Sequence, residues 1–355
     1  MCNYNILTIN PGSTSTKVAL FKNNELVFEQ VLRHPAEELN AYENLIDQYE
    51  YRKEKIENFL EEKGIKLNEL HAISCRGGLI GPIPSGTYSI DEGLFTRLST
   101  NVVHASNLAG IIGYNMAKEL NIPAYITDPV TVDEMAPIAK VTGIPGVVRK
   151  SKFHALNQKA VARRAADQIR KPYDECNFIG VHIGGGISIA AHEQGKVVDV
   201  NNVIDGDGPL APTRAGSIPV EAVIDLCFSG EYKSASEFKE FVSQRAGLTA
   251  YLGTSDVRDV QEMMEQGNEE AKILYEAMAY QISKNIGAMA TVLKGKVDAI
   301  FITGGVAYSK QFIRLLKERI DFIGEVIVIP GEEEMLALAE GALRVLKGQE
   351  VAKVL

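Results

Sequence analysis

From Ile6 to Phe21 the chain reads ILTINPGSTSTKVALF: an apolar run, a polar turn opening at Asn10, then Gly12, four hydroxyl residues ending at Thr16, Lys17 and a second apolar run. The pattern predicts strand, turn, strand. Lys22-Asn23-Asn24-Glu25 is turn chemistry, and Leu26 to Val31 predicts the next strand, so three consecutive antiparallel strands begin the chain. Residues 178 to 200 repeat the pattern: Phe178 to Ile183, then Gly184-Gly185-Gly186, then Ile187 to Ala191, a Glu193 to Lys196 turn, and Val197 to Val200. An internal duplication is the simplest explanation. Two unrelated hairpins are the alternative, because hairpins are common. Two similar halves facing each other would set two Gly-rich turns across one cleft and hold a nucleotide's phosphates from both sides.

Helical spacing runs over Tyr42 to Leu60, closing at Gly64, and over Asn107 to Leu120, Phe153 to about Ile169, Val220 to Phe228, Glu237 to Arg245 and Asn268 to Leu293. A further helix opens at Thr254 to Asp259 with Ser255 as its cap candidate, and Glu332 to Leu346 closes the chain with three glutamates at its start, which suit the helix dipole. Short apolar strands are predicted at His71 to Ser74, Ala124 to Thr127, Ala299 to Thr303 and Glu325 to Ile329. After the first of these, Cys75 to Pro84 is too rich in Gly and Pro for a regular element, and Arg76 is its one cation. Loops at the carboxyl ends of strands are where α/β sheets gather ligands. A surface arginine on a linker is the competing reading. Asp128, before Pro129, also ends a strand, although such an aspartate is more often a turn former. A second irregular loop, Asp205 to Ser217, holds the single arginine Arg214. The pattern places a domain boundary near residues 149 to 153.

Composition narrows the class. At 355 residues the chain is long for one core, which favours two domains, and the net charge of -9 argues against nucleic-acid binding. No 18-residue apolar run and no basic, apolar leader occur, so the expectation is a cytoplasmic protein with no membrane partner. The four cysteines are far apart with no C-x-x-C, which favours reduced thiols, and the six histidines show no metal-ligand spacing. Three glycine turns after apolar strands (around Gly12, Gly185 and Gly304), two loop arginines, a strand-end aspartate and no nucleophilic triad point to phosphoryl transfer. That chemistry needs cations and N–H donors on the moving phosphoryl group and a metal for the nucleotide. Neither G-x-x-x-x-G-K-[ST] nor G-x-G-x-x-G occurs, so the nucleotide site is of another type.

Asn10-x-Gly12-Ser13-x-Ser15-x-Lys17, Phe153-His154, His182-x-Gly184-x-Gly186, Thr213-Arg214-x-Gly216, Ser255-Asp256-x-Arg258-Asp259 and Thr303-Gly304-Gly305 resemble, in order and over nearly the whole chain, the signatures of the acetate kinase (acetokinase) family. Cys75-Arg76-Gly77-Gly78-Leu79-Ile80-Gly81-Pro82-Ile83-Pro84 and the chain length resemble its butyrate kinase branch. The resemblance implies an α/β, duplicated actin-like (ribonuclease H-like) fold of two domains, each with a mixed sheet, and an interdomain cleft. Residues 1–152, completed by a C-terminal helix 336–355, would form one domain, and 153–335 the nucleotide-binding and dimerisation domain. It further implies an ATP-dependent kinase, using Mg2+ with ATP or ADP, that phosphorylates a short-chain fatty acid by direct in-line transfer, as a homodimer or higher homo-oligomer.

Position by position, the resemblance makes Arg76 and Arg214 flank the acyl carboxylate and the transferring phosphoryl group, with His154 donating a hydrogen bond to it. Asp128 and Glu333 would hold magnesium, partly through water. Asn10, Ser13, Ser15 and Lys17 would line the phosphate end opposite His182, Gly184, Gly185 and Gly186, while Asp256, Arg258, Gly304 and Gly305 would contact the adenosine portion. Arg76, Gly77, Gly78, Leu79 and His104 would form the substrate pocket, with no role for His104 assignable from its chemistry. Three departures stand out. Gln158 replaces a second histidine four residues after the one matching His154, and Gly185 replaces an asparagine. Gly77-Gly78-Leu79 replaces the Val-Val-His of acetate kinases, which is expected to make room for a longer acyl chain. Each buried methylene favours binding by about 0.8 kcal/mol, so two extra carbons would shift preference by roughly tenfold or more. Butyrate is thus the expected acceptor, with isobutyrate, acetate or propionate as alternatives, and a nucleotide-binding sensor or chaperone-like ATPase of the same fold as the rival class.

Overall fold

The computed structural model describes residues 3–100, 102 and 105–355. They form two compact units, Met1–Val132 with Glu333–Leu355, and Asp133–Glu332. In the first, β1 (Asn5–Pro11), β2 (Ser15–Lys22) and β3 (Glu25–Arg33) are antiparallel neighbours, β4 (Ala72–Cys75) joins β1 in parallel, and β6 (Ala124–Thr127) joins β4 in parallel. The short strand β5 (Thr87–Ser89) closes the sheet antiparallel to β6, giving the order β3-β2-β1-β4-β6-β5.

The second unit repeats this plan. β7 (Asn177–Ile183), β8 (Ile187–Glu193) and β9 (Lys196–Val200) are antiparallel, and β10 (Ala299–Thr303) and β11 (Glu325–Val328) extend from β7 in parallel, in the order β11-β10-β7-β8-β9. Read from its other edge, that order matches β3-β2-β1-β4-β6 strand for strand. The likeness reaches single residues. The register shifts between Leu20 and Phe21 in one ladder and between Ala191 and His192 in the other, each just ahead of a turn. Those turns place Asn23 (φ 53°) and Gln194 (φ 49°) in the same left-handed conformation, as tight hairpin turns require.

Each sheet is covered on both faces, because successive side chains of a strand point to opposite sides. Ile73 belongs to the apolar cluster with Leu108 and Ile112 of the helix Ala105–Leu120, while its neighbour Ser74 donates from Oγ to the Leu338 carbonyl of the helix Glu334–Leu346. In the second unit Ile300 and Ile302 pack with Met278 and Ile282 of the helix Glu269–Val292, whereas Ala299 and Phe301 pack with Val161 and Ala165 of the helix Ala155–Gln168. The sheets are therefore rigid central layers whose strand ends carry the polar turns.

Several expectations shift. Residues 133–152 belong to the second unit, so its boundary lies at 132/133 and not at 152/153. Ala136 N–H donates to Val198 O at 2.9 Å, Arg149 pairs with Asp199 at 2.9 Å, and the buried Lys159 ammonium lies 2.5 Å from Glu134. These are polar, long-range ties with no periodic signature. The helix predicted from Tyr42 begins as a short 3-10 turn at Leu45–Gln48 and continues as Tyr49–Glu62. Asp256, not Ser255, caps the helix Val257–Glu265, accepting from Arg258 N–H. The strand β5 and the helix Glu92–Thr100 had no counterpart in the sequence pattern. Among the described residues no helix is long and apolar enough to cross a membrane, and Cys75, Cys176 and Cys227 are free thiols.

Candidate active site

In the first unit the parallel neighbours β1, β4 and β6 bring their carboxyl ends to one edge, so Asn10, Arg76 and Asp128 sit at the ends of three adjacent strands. Asn10 Nδ2 donates to Glu334 Oε2 at 3.0 Å, and Arg76 Nη1 pairs with the same oxygen. Glu334, the first residue of the closing helix, thus joins two predicted site residues that no spacing or pattern connects. Its neighbour Glu333 is the N-cap residue. Asp128 is buried at a positive φ of 39°, and its Oδ1 accepts from Ser85 Oγ and Gly86 N–H, each at 2.7 Å.

The turn carrying Ser13 and Ser15 is held from behind by Arg52, a fully buried cation. Its Nη1 donates to the carbonyls of Gly12 (3.0 Å) and Ser15 (3.2 Å), its Nη2 to that of Ser13 (2.9 Å), and its Nε to Gln48 Oε1 (3.2 Å). With the carbonyls drawn inward, Ser13 is left on the exposed side of the turn. Sequence reading passed over Arg52. The available signal was its place at the head of the i, i+4, i+8 stripe Arg52, Ile56, Leu60, all buried. Arg52→Met keeps the apolar stem but deprives three carbonyls of a charged donor, and is expected to lower stability by about 3 kcal/mol in urea unfolding. Lys17, expected among the phosphate-facing groups, has its ammonium 3.1 Å from Glu29 of β3.

The room expected from the missing side chains of Gly77 and Gly78 is taken up by neighbouring protein. A Cβ on Gly77 would lie 2.4 Å from Pro129 Cβ and 2.6 Å from Ile126 Cγ2, and one on Gly78 would lie 2.4 Å from Asn107 Oδ1. The two glycines let the loop after β4 lie tightly against the Asp128 turn and the helix Ala105–Leu120, so the volume they release is filled by protein. Leu79, next in line, is exposed. His104 lies outside the described residues.

In the second unit, Gly184, Gly185 and Gly186 form the turn between β7 and β8, and Gly304 and Gly305 follow β10, whose Thr303 pairs with His182 of β7. Gly184, Gly185, Asp256, Arg258 and Gly305 line a pocket of about 870 Å3 together with Tyr308 and Glu332. That volume suits a nucleotide. Asp256 and Arg258 are locked together, with Arg258 Nη2 2.5 Å from Asp256 Oδ2, and the hydrogen bonds from Arg258 hold the Asp256 carboxyl down at about 2.

Arg214 reaches the same glycine turn. Thr213 ties its loop there, donating to Gly185 O from both N–H (3.1 Å) and Oγ1 (2.9 Å). A Cβ on Gly186 would sit 1.6 Å from Arg214 Nη1, so the guanidinium rests against that residue's backbone. Its Nε donates to Ser243 O at 3.2 Å, yet Nη1 is buried with no hydrogen-bond partner among the described residues. Burial pushes the guanidinium below its usual value. A desolvated, unmatched donor of this kind is costly, and it is what an anion-binding site presents before its ligand arrives.

His154, at the N-cap of the helix Ala155–Gln168, stacks on His182 with ring centroids 3.8 Å apart and planes 17° apart. His182 Nδ1 lies 2.8 Å from Asn157 Oδ1, and its Nε2 is 3.0 Å from Glu332 Oε1 without hydrogen-bond alignment. Arg214, the glycine turn, His182 and the pocket are thus one cluster of the second unit. Arg76, Asn10 and Asp128 are another, of the first.

A model of the acetokinase family matches residues 139–336. Among solved structures, the acetate kinase of Porphyromonas gingivalis superposes with a TM-score of 0.76 at 21% identity, over 96% of this chain and 99% of that one. A propionate kinase from Francisella tularensis gives 0.76 at 19%, over 95% and 98%. A ROK family protein from Streptococcus pneumoniae in complex with sucrose gives 0.52 at 14%, over 98% and 100%. At these identities the likeness speaks for the fold, which is the duplicated actin-like one with a mixed α/β sheet in each half.

Proposed function

Because the chain belongs to the acetokinase family, we propose that it transfers the γ-phosphoryl group of Mg-ATP in line to the carboxylate of a short-chain fatty acid, butyrate or a branched relative, giving an acyl phosphate and ADP. One carboxylate oxygen forms a bond to the γ-phosphorus as the bond from that phosphorus to the β-γ bridging oxygen breaks, and the reverse reaction makes ATP. The carboxylate carries no proton at neutral pH. The site therefore needs donors and positive charge and no general base.

The observation that carries this reading is the buried Nη1 of Arg214, without a partner among the described residues, against the glycine turn of the nucleotide-sized pocket. Arg214 would take the transferring phosphoryl group, and His154 would donate to it. Arg76 would exchange Glu334 for the substrate carboxylate, since a guanidinium binds either in the same fork. Gly184, Gly185, Gly186, Gly304 and Gly305 would present backbone donors to the nucleotide, with Asp256 and Arg258 at its adenosine end, and Asn10, Ser13, Ser15 and His182 toward its phosphates. Lys17 keeps only a supporting charge in this account.

Asp128 and Glu333 offer hard carboxylate oxygens, the ligands magnesium takes, but the described residues include no group of three or more His, Cys, Asp or Glu able to hold an ion alone. That donor set fits magnesium as an ion that keeps several waters and takes further oxygens from nucleotide phosphates. Bound there, it would offset charge on the β- and γ-phosphates.

The butyrate preference now rests on the likeness of the Cys75–Pro84 segment, whose Leu79 is exposed. The tight packing at Gly77 and Gly78 favours a second reading, an acetate or propionate kinase. Incubation with ATP, magnesium, hydroxylamine and acids of two to six carbons should give acyl hydroxamate. No hydroxamate from any of them would remove the kinase reading in favour of a nucleotide-binding sensor or chaperone-like ATPase. Assembly as a homodimer or larger homo-oligomer is part of the same proposal.

A further inference from the structure

A single hydrogen-bonded chain runs through the interior of the second unit and ends on His154. Tyr173 Oη lies 2.9 Å from His192 Nδ1, His192 Nε2 lies 2.9 Å from Gln158 Oε1, and Gln158 Nε2 lies 3.0 Å from Ser188 O and 2.9 Å from Ser188 Oγ. Ser188 Oγ in turn lies 3.0 Å from His154 Nδ1. Gln158, Ser188 and His192 are fully buried. Gln158 stands one helical turn after His154, and Ser188 is the β8 partner of His182, on which His154 stacks.

The direction of every bond follows from one fixed point. The Ser188 carbonyl can only accept, so the nitrogen of the Gln158 amide must be at that end and its oxygen must face His192. An amide oxygen also only accepts, so His192 carries its proton on Nε2. Burial, with the charges of Lys159 and Arg163, holds His192 neutral. Its Nδ1 is then an acceptor and receives a hydrogen bond from the Tyr173 hydroxyl. At the other end Ser188 Oγ accepts from Gln158, which leaves its own proton for His154 Nδ1. A proton on His154 Nδ1 would turn that nitrogen into a second donor to Ser188 Oγ and leave the serine proton buried with no acceptor among these partners, which is costly.

We propose that Ser188, Gln158, His192 and Tyr173 are positioning residues that fix His154 as the tautomer protonated at Nε2, so that it meets the phosphoryl group as a donor and not as a base. The departure at Gln158 thereby gains a purpose: an amide is polar at both ends, and it passes the direction set by His192 on to Ser188. The use of His154 on a phosphoryl group rests on the proposed reaction, whereas its tautomer does not.

Long-range proton–nitrogen NMR of histidine-labelled protein reads the tautomer directly, with His154 assigned by the signals lost in His154→Gln. The wild-type protein should show an unprotonated Nδ1 and a protonated Nε2 on His154. Ser188→Ala should shift His154 toward a mixture of tautomers, and Tyr173→Phe, which removes one hydroxyl at the far end, should do so more weakly. Both should lower kcat, Ser188→Ala by about tenfold, the weight of one hydrogen bond, with little change in the KM for ATP. A proton on Nδ1 in the wild type, or an unaltered tautomer in Ser188→Ala, would overturn the proposal. The expected tautomer in a protein that forms no acyl phosphate would overturn the reaction and leave the relay standing.

Discussion

Arg214→Ala is expected to lower kcat for acyl phosphate formation by about a hundredfold or more, the usual loss when one preorganised donor is taken from a developing charge. The same substitution should leave thermal stability unchanged or raised. In the free protein Arg214 offers Nε to Ser243 O, while Nη1 is buried without a partner among the described residues and burial works against the charge. Removing it relieves a desolvation cost that only a bound anion offsets. An inactive variant with an intact melting temperature separates a site residue from a structural one. Arg76→Ala should lose kcat by a similar factor, but it frees Glu334 from its ion pair and leaves Asn10 Nδ2 as that carboxylate's other partner. Wild-type rates in both variants would mean that the two arginines are not in the reaction.

Gly186→Ala should cost nearly as much activity as Arg214→Ala without touching the arginine. The new methyl would stand 1.6 Å from Arg214 Nη1 and 2.4 Å from its Cζ, so the guanidinium must leave its place. The backbone cannot absorb the change. Arg214 O accepts from Ala211 N–H at 3.1 Å, and Gly247 already lies so close that a Cβ there would be 2.8 Å from Arg214 O. Gly185→Ala is the matched comparison, because its methyl would meet only Thr213, at 3.7 Å, an ordinary contact. It should lose far less. Steady-state kinetics on the two alanine variants, with circular dichroism to show that both are folded, compares them. Equal effects would mean that the position of Arg214 against Gly186 does not matter for catalysis.

Much of the fold was legible because its signals are local. The runs that became β1 to β3 and β7 to β9 are apolar segments cut by Gly, Asn and hydroxyl turns, and the repeat between them could be seen without knowing what lay beside either. The extent of the second unit could not be seen, because residues 133–152 carry no clear periodicity and are tied to the predicted helix and strand by the polar pairs Lys159 to Glu134 and Arg149 to Asp199. Arg52 looked like one more cation in YEYRKEK, and only the folded chain shows it under the Ser13 turn. The glutamates at 332 to 334 were explained by a helix dipole, yet Glu334 holds Arg76 and Asn10, and Glu332 lies beside His182. Gly77 and Gly78 mark the limit of arguing from side-chain size. A missing side chain means space only if nothing else fills it, and here Pro129, Ile126 and Asn107 do.

The most direct test of the account is kcat/KM measured with purified protein, ATP and magnesium over straight-chain acids of two to six carbons and isobutyrate. A maximum at four or five carbons is expected, with acetate lower by roughly tenfold or more. A maximum at two carbons, or no turnover of any acid, would contradict it.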